Sequence, residues 1–222
     1  MAYHLMPMLG SFDILMGILI LFFPVRAVLG WLVFWGFFTA LLRPISGESF
    51  AEFFERGGNY GAALALLIIS GKASTLREWF SLIKPGNLVN SKTMARAIWC
   101  LRITTFLLFL GHGWLNIIAK KGLIGQYMSL GFSNPTSIAL TIGILEIAAA
   151  FVILIRPVRP FLMAFIVWKM ASELFYPHYE FFEWIERGGS YGTLIALWFA
   201  LPLVSHSKPR FRLSKLVARE IR

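Results

Sequence analysis

Five ionisable side chains stand inside long apolar stretches of this chain: Asp13, His112, Glu146, Lys169 and Glu173. Inserting such a group into hydrocarbon costs roughly 2.5–3.5 kcal/mol, so each one requires a partner or a task. Lys169 and Glu173 are one helical turn apart, where ammonium and carboxylate share a face and neutralise each other. That spacing fits a self-contained ion pair or a step in a proton or ligand path. Asp13 and Glu146 occupy matching places in two related segments, which fits either a polar clasp between helices or a shared site on a central axis. His112 and Asn116, with Thr105 and Phe109 on the same helical stripe, give a third segment one polar face, suited to hydrogen bonding. His4 and His178 are expected near the same surface as His112, but no metal-ligand spacing joins the three and no metal site is expected.

A second constellation is written twice. Glu52-Phe53-Phe54-Glu55-Arg56-Gly57-Gly58-Asn59-Tyr60-Gly61 returns as Glu183-Trp184-Ile185-Glu186-Arg187-Gly188-Gly189-Ser190-Tyr191-Gly192, each copy leading into an apolar run. Paired acids with interleaved aromatics describe a short amphipathic helix lying in the membrane interface, and the glycine pair permits a turn into the next span. As a corner the motif is structural. As a site it offers the carboxylates Glu52 and Glu183, the guanidinium groups Arg56 and Arg187, and the phenols Tyr60 and Tyr191, a set suited to orienting a quinone head or a partner subunit. No residue is assigned a catalytic role.

The elements that carry these residues are apolar in bulk. Of 222 residues, 58% are hydrophobic and 14% charged, with mean hydropathy +0.70, which excludes an ordinary soluble domain. Seven transmembrane helices are expected, over 6–23, 27–43, 57–71, 95–118, 136–155, 159–176 and 188–204, the third being short for a bilayer. The net charge of +10 comes from Lys and Arg between and after the apolar runs, so it reads as orientation in a bilayer and not as a nucleic-acid surface. Arg26, the basic residues of 72–94, Arg156, Arg159 and the tail fall on one side, and the acid-rich corners on the other. This predicts an outer N-terminus, a cytoplasmic C-terminus and an inner (plasma) membrane location, with Met1 entering the first helix directly. The single cysteine, Cys100, excludes an internal disulfide or dithiol relay. The last span holds no lysine, which argues against a retinal Schiff base.

Pro24-Val25-Arg26 answers Pro157-Val158-Arg159, so the recurrence extends well upstream of the motif. The expected organisation is a first repeat of three spans over 1–71, a basic inner-surface linker over 72–94, a complete four-helix repeat over 95–204 and a basic cytoplasmic tail over 205–222. The opening helix of the first copy is missing. An all-α membrane fold with parallel repeats follows, with membrane lipid as one partner, anionic lipid in particular along the linker.

Leu101-Arg102-Ile103, Gly111-His112-Gly113-Trp114-Leu115-Asn116, Gly143-Ile144-Leu145-Glu146 and Arg156 resemble the DoxX-like family of small four-helix membrane proteins. The likeness covers about residues 95–204, with a decayed copy over 6–71. It implies a subunit of a bacterial membrane oxidoreductase complex, quinone-facing or anchoring, with a protein partner supplying electrons. Asp13 and Glu146 would then exchange protons, and His112 and Asn116 would bond a ring carbonyl of a bound quinone. Asn116 stands where a family member typically carries lysine. The chain has no haem, flavin or iron-sulfur fingerprint of its own. A different reading keeps the fold and makes the protein a non-enzymatic carrier or scaffold that binds a proton, lipid or small solute.

Overall fold

The computed structural model describes residues 2–84, 89–176 and 181–201, apart from the side chains of 2–5 and 183. His178, Glu180 and the basic tail lie outside the described residues, as do the side chains of His4 and Glu183. The described residues form helices α1 (Ala2–Phe22), α2 (Arg26–Ile45), α3 (Ala51–Glu55), α4 (Gly57–Ile69), α5 (Leu76–Trp79), α6 (Ser91–Ile117), α7 (Lys121–Ser129), α8 (Pro135–Ile155), α9 (Arg159–Leu174), α10 (Phe181–Glu186) and α11 (Gly188–Ala200). Three of these, α2, α6 and α8, are long and apolar enough to cross a membrane. The stretch Met6–Phe22 of α1 and the whole of α4 are apolar but shorter. The chain is therefore all-helical in its described part and membrane-associated in character.

Local sequence explains the helix ends. Asn90 Oδ1 accepts the Thr93 amide at 2.7 Å to open α6, and Asn134 Oδ1 accepts the Ser137 amide at 3.2 Å to open α8, whose first residue is Pro135. At the opposite ends, cations meet the free carbonyls. Arg26 donates to the Ser70 and Gly71 carbonyls at the end of α4, and Arg102 to those of Leu154 and Ile155 at the end of α8.

Helix α6 is the central post and packs on α3, α4, α8 and α11. Leu101, Leu108 and Phe109 of α6 meet Ala150 and Ile153 of α8, Leu162 and Ile166 of α9, and Leu194 and Leu197 of α11 in one buried core. Helices α4 and α11 cross at their first turns. A Cβ on Gly58 would lie 2.5 Å from the Gly189 carbonyl carbon, so side chains are excluded and the two Glu-Arg-Gly-Gly corners meet backbone to backbone. Helix α1 packs on α2 through contacts such as the edge-on pair Phe12–Trp31, with centroids 5.6 Å apart. Its other faces are open: Ile14, Leu21 and Phe22 are exposed.

Candidate functional site

His112 lies between two glycines of α6, and each glycine admits a different backbone. A Cβ on Gly111 would lie 2.6 Å from the Ala51 carbonyl oxygen of α3, and one on Gly113 would lie 2.8 Å from the Gly143 carbonyl oxygen of α8. Both neighbours thus press onto α6 beside the imidazole, and each brings a carboxylate. Nδ1 of His112 is 2.5 Å from Glu146 Oε2 on α8, and Nε2 is 4.0 Å from Glu55 Oε1 on α3.

The Glu146 carboxylate is buried and nearly saturated with donors. Asn116 Nδ2 reaches Oε2 at 3.4 Å and Trp168 Nε1 donates to Oε1 at 3.2 Å. Asn116 is itself fixed by the Tyr127 hydroxyl, which donates to Asn116 Oδ1 at 2.7 Å. Burial and the nearby Glu146 charge push the Tyr127 phenol above its ordinary range, so it remains a donor at neutral pH. A carboxylate this deep would cost several kcal/mol if unpaired, and this set of donors offsets that cost.

A second polar group adjoins the first. Lys169 Nζ is 2.7 Å from Glu173 Oε1, and Arg187 Nη1 donates to Glu173 Oε2 at 3.4 Å. Lys169 is fully buried, and no acceptor stands in hydrogen-bonding geometry around its ammonium despite the close carboxylate. Beside it is a polar cavity of about 60 Å³ where the corners meet: Glu55, Arg56 and Asn59 face Glu186, Arg187 and Ser190 across it. A third contact joins buried Glu52 to Lys120 at 2.5 Å. Lys120 is aimed by a helix stop in which the Lys120 amide bonds the Leu115 carbonyl, the Ala119 amide bonds the Asn116 carbonyl, and Ala119 takes φ 53°.

The groups singled out in the sequence therefore separate. His112, Asn116 and Glu146 form one hydrogen-bonded cluster; Lys169, Glu173, Arg56 and Arg187 gather at the adjoining cavity. Asp13 joins neither, being exposed on α1. Tyr60 and Tyr191 hold the corners together: their hydroxyls donate to the Phe53 and Trp184 carbonyls at 3.4 and 3.0 Å, and their rings stack on those same residues. Comparison with protein-family models, curated proteins and solved structures gives no match.

On the outer side of Glu146 an apolar groove of about 460 Å³ runs between α8 and α9, lined by Ile142, Leu145, Val152, Phe161 and Phe165, with Glu146 and Trp168 as its polar points. Leu145 is 60% exposed and Val152 42%, so the groove opens on the outer surface of the helices. Three members of this site were not assigned from sequence. Trp168 is apolar by composition, although a tryptophan directly before a lysine inside an apolar run is a usable signal. Glu55 was visible as the second acid of the corner. Tyr127 lies in a segment with no membrane-length apolar run, and nothing in its surroundings marks it.

Proposed function

We propose that the protein is an inner-membrane subunit of a redox complex and that the α8–α9 groove receives the ring of a quinone. The observation that carries this reading is a lipid-facing apolar groove whose floor holds one carboxylate, bonded on one side to Trp168 and on the other to a buried histidine. Pockets of this size and apolar lining, with few convergent polar groups, suit small lipophilic ligands. An opening toward lipid favours a ligand that partitions into the bilayer. A bound quinone supplies two-electron, two-proton chemistry, with the electrons coming from a partner protein. Trp168 orients the ring by the face of its indole while its N–H holds Glu146, Glu146 exchanges a proton at the ring oxygen, and Asn116 with Tyr127 holds the Glu146–His112 pair in register.

The same reading takes the protein as a DoxX-like chain with seven spans, α1, α2, α4, α6, α8, α9 and α11, N-terminus outside and C-terminus cytoplasmic. Support for the duplication comes from matching helix lengths: α1 and α8 have 21 residues each, and α4 and α11 have 13 each. Residues 1–71 and 95–204 are then the two copies, 72–94 the inner linker and 205–222 the basic tail, with α6 as the opening helix of the second copy. The cations Arg26 and Arg102, each bonded to carbonyls at a helix C-terminus, would lie on the cytoplasmic side.

The test uses the full chain purified into lipid nanodiscs. Binding of decylubiquinone is expected for the wild type and for Asp13→Asn, with strong loss in Glu146→Gln and weakening in Trp168→Phe. Equal binding by wild type and Glu146→Gln refutes the groove as the site. Proton-coupled uptake of a solute into proteoliposomes, without quinone binding, favours the carrier reading, which the buried His112–Glu146 pair also suits.

A further inference from the structure

The two ring nitrogens of His112 face two different carboxylates, Nδ1 at 2.5 Å and Nε2 at 4.0 Å. Nδ1 contacts Glu146, which lines the lipid-facing groove, and Nε2 faces Glu55, which lines the polar cavity between the two corners. The two acids differ in environment: the Glu146 side chain is 1% exposed and that of Glu55 17%. An imidazole bonded to a sealed carboxylate and 4.0 Å from a more open one becomes a proton shuttle once the open carboxylate closes by about 1 Å or one water joins them. The other charged groups within electrostatic reach of the ring are Lys169 and Glu173 of α9, which pair with each other.

We propose that Glu55 is the outer relay of a proton path running from Glu146 through His112 to the polar cavity at the crossing of the corners. It rests on the groove reading only for the source of the proton. A proton on Glu146 Oε2 transfers to Nδ1 as the Nε2 proton leaves to Glu55 Oε1, once Glu55 closes to hydrogen-bonding distance or through one water, so one proton enters the ring and one departs. Glu55 then delivers it to the cavity, where Arg56, Lys169 and Arg187 face Glu173 and Glu186. The carboxylate of the first corner thereby serves a site on the second half of the chain. Gly111 makes this possible, because a side chain there would push α3 and Glu55 away from α6.

Trp168 is the reporter for this path, since its indole N–H bonds Glu146 and indole emission is expected to respond to a change of charge at that distance. The experiment is a rapid pH jump on the full chain in nanodiscs without quinone, reading the fluorescence that disappears in Trp168→Phe. Glu55→Gln is expected to slow that signal by at least about 100-fold, the lower end of what a positioned proton-transfer group contributes. Because Glu55→Gln disturbs a buried contact, a second arm acts on protein already folded. Ser190→Cys is made in a Cys100→Ser background and modified at the cavity wall with a charged, membrane-impermeant thiosulfonate. Slowing in the modified protein alone supports the path. An unchanged rate in both arms, or no Trp168-dependent signal at any pH, overturns it. Decylubiquinone binding measured on the same samples shows separately whether the groove reading stands.

Discussion

Twelve residues beyond the proline of the recurring Pro-Val-Arg, α9 carries Lys169 and then Glu173, whereas α2 carries Gly36 and then Ala40, and the two helices meet their neighbours differently. A Cβ on Gly36 would lie 3.0 Å from the Asn59 carbonyl oxygen, so α2 lies directly on the backbone of α4. Helix α9 instead holds an ion pair beside the cavity next to α11. Other positions diverge in the same way. Trp35 stacks on Trp31 with centroids 5.7 Å apart, whereas its counterpart Trp168 hydrogen-bonds Glu146. Asp13 is exposed on α1, whereas Glu146 is covered by α6. Helix α2 packs through a small residue and stacked rings where α9 holds a buried ion pair, and Glu146 differs from Asp13 in having α6 across it. A carboxylate becomes a buried functional group only where a neighbour brings donors to it.

The strongest way to break this comparison is to remove one member of the buried pair. Lys169→Met leaves Glu173 with the partly exposed Arg187 alone and is expected to destabilise the protein by about 3–5 kcal/mol. Lys169→Met with Glu173→Leu restores the apolar solution used by α2 and is expected to recover most of that loss, because replacing both members of a buried pair is often neutral. Thermal unfolding in detergent micelles, followed by circular dichroism, reads both. A single variant as stable as the wild type would mean that the pair contributes nothing to the fold.

A sharper contrast lies in one pair of glycines at matching motif positions. A Cβ on Gly61 would lie 2.8 Å from Thr104 Cβ of α6, while Gly192 has nothing within 4 Å. Gly61→Ala is therefore expected to cost about 1–3 kcal/mol through overpacking. Gly192→Ala is expected to stabilise α11 by about 0.5–1 kcal/mol through helix propensity. Equal effects in the same assay would mean that the halves pack α4 and α11 alike. Between these in kind is Ala119, whose φ of 53° suits glycine. Ala119→Gly is expected to gain up to about 1 kcal/mol, and the Glu52–Lys120 contact it positions should persist.

The sequence made some of this legible because charge in an apolar run is costly and therefore conspicuous. His112 and Glu146 stood out on that ground and Asn116 by sharing the polar stripe of His112, and the fold brings the three within hydrogen-bonding distance of one another. The helical membrane class was legible for the same reason. The fate of Asp13 was not, because periodicity tells that a residue lies on a helix but not which helix covers it; among the described residues α1 packs chiefly on α2, and Asp13 stays exposed. Trp168 was hidden by its apolar ring, and Tyr127 by a short helix too polar to register as a span. The corner tyrosines were ambiguous between belt and site, and only the fold decides their partners, which are carbonyls of their own corner.

The smallest expected effect compares a surface pair of the first half with the buried pair of the second. Arg43 Nη1 bonds Glu48 Oε1 at 2.9 Å, with side chains 43% and 37% exposed. That hydrogen bond, reinforced by the Arg43 charge and opposed by slight burial, holds the Glu48 carboxyl below its ordinary range. The stabilisation is therefore complete above the unfolded carboxyl range near about pH 4.3 and is lost as pH falls through the lower folded value. Screening by solvent limits it to about 0.2–1 kcal/mol. Glu48→Gln should thus lower the melting temperature slightly at neutral pH, converge with the wild type in acid, and converge again in about 1 M salt, where the Debye length is about 3 Å. The Lys169–Glu173 pair, shielded from ions, should show no such convergence with salt. A salt response of equal size at both sites would mean that the second half is as open to water as the first.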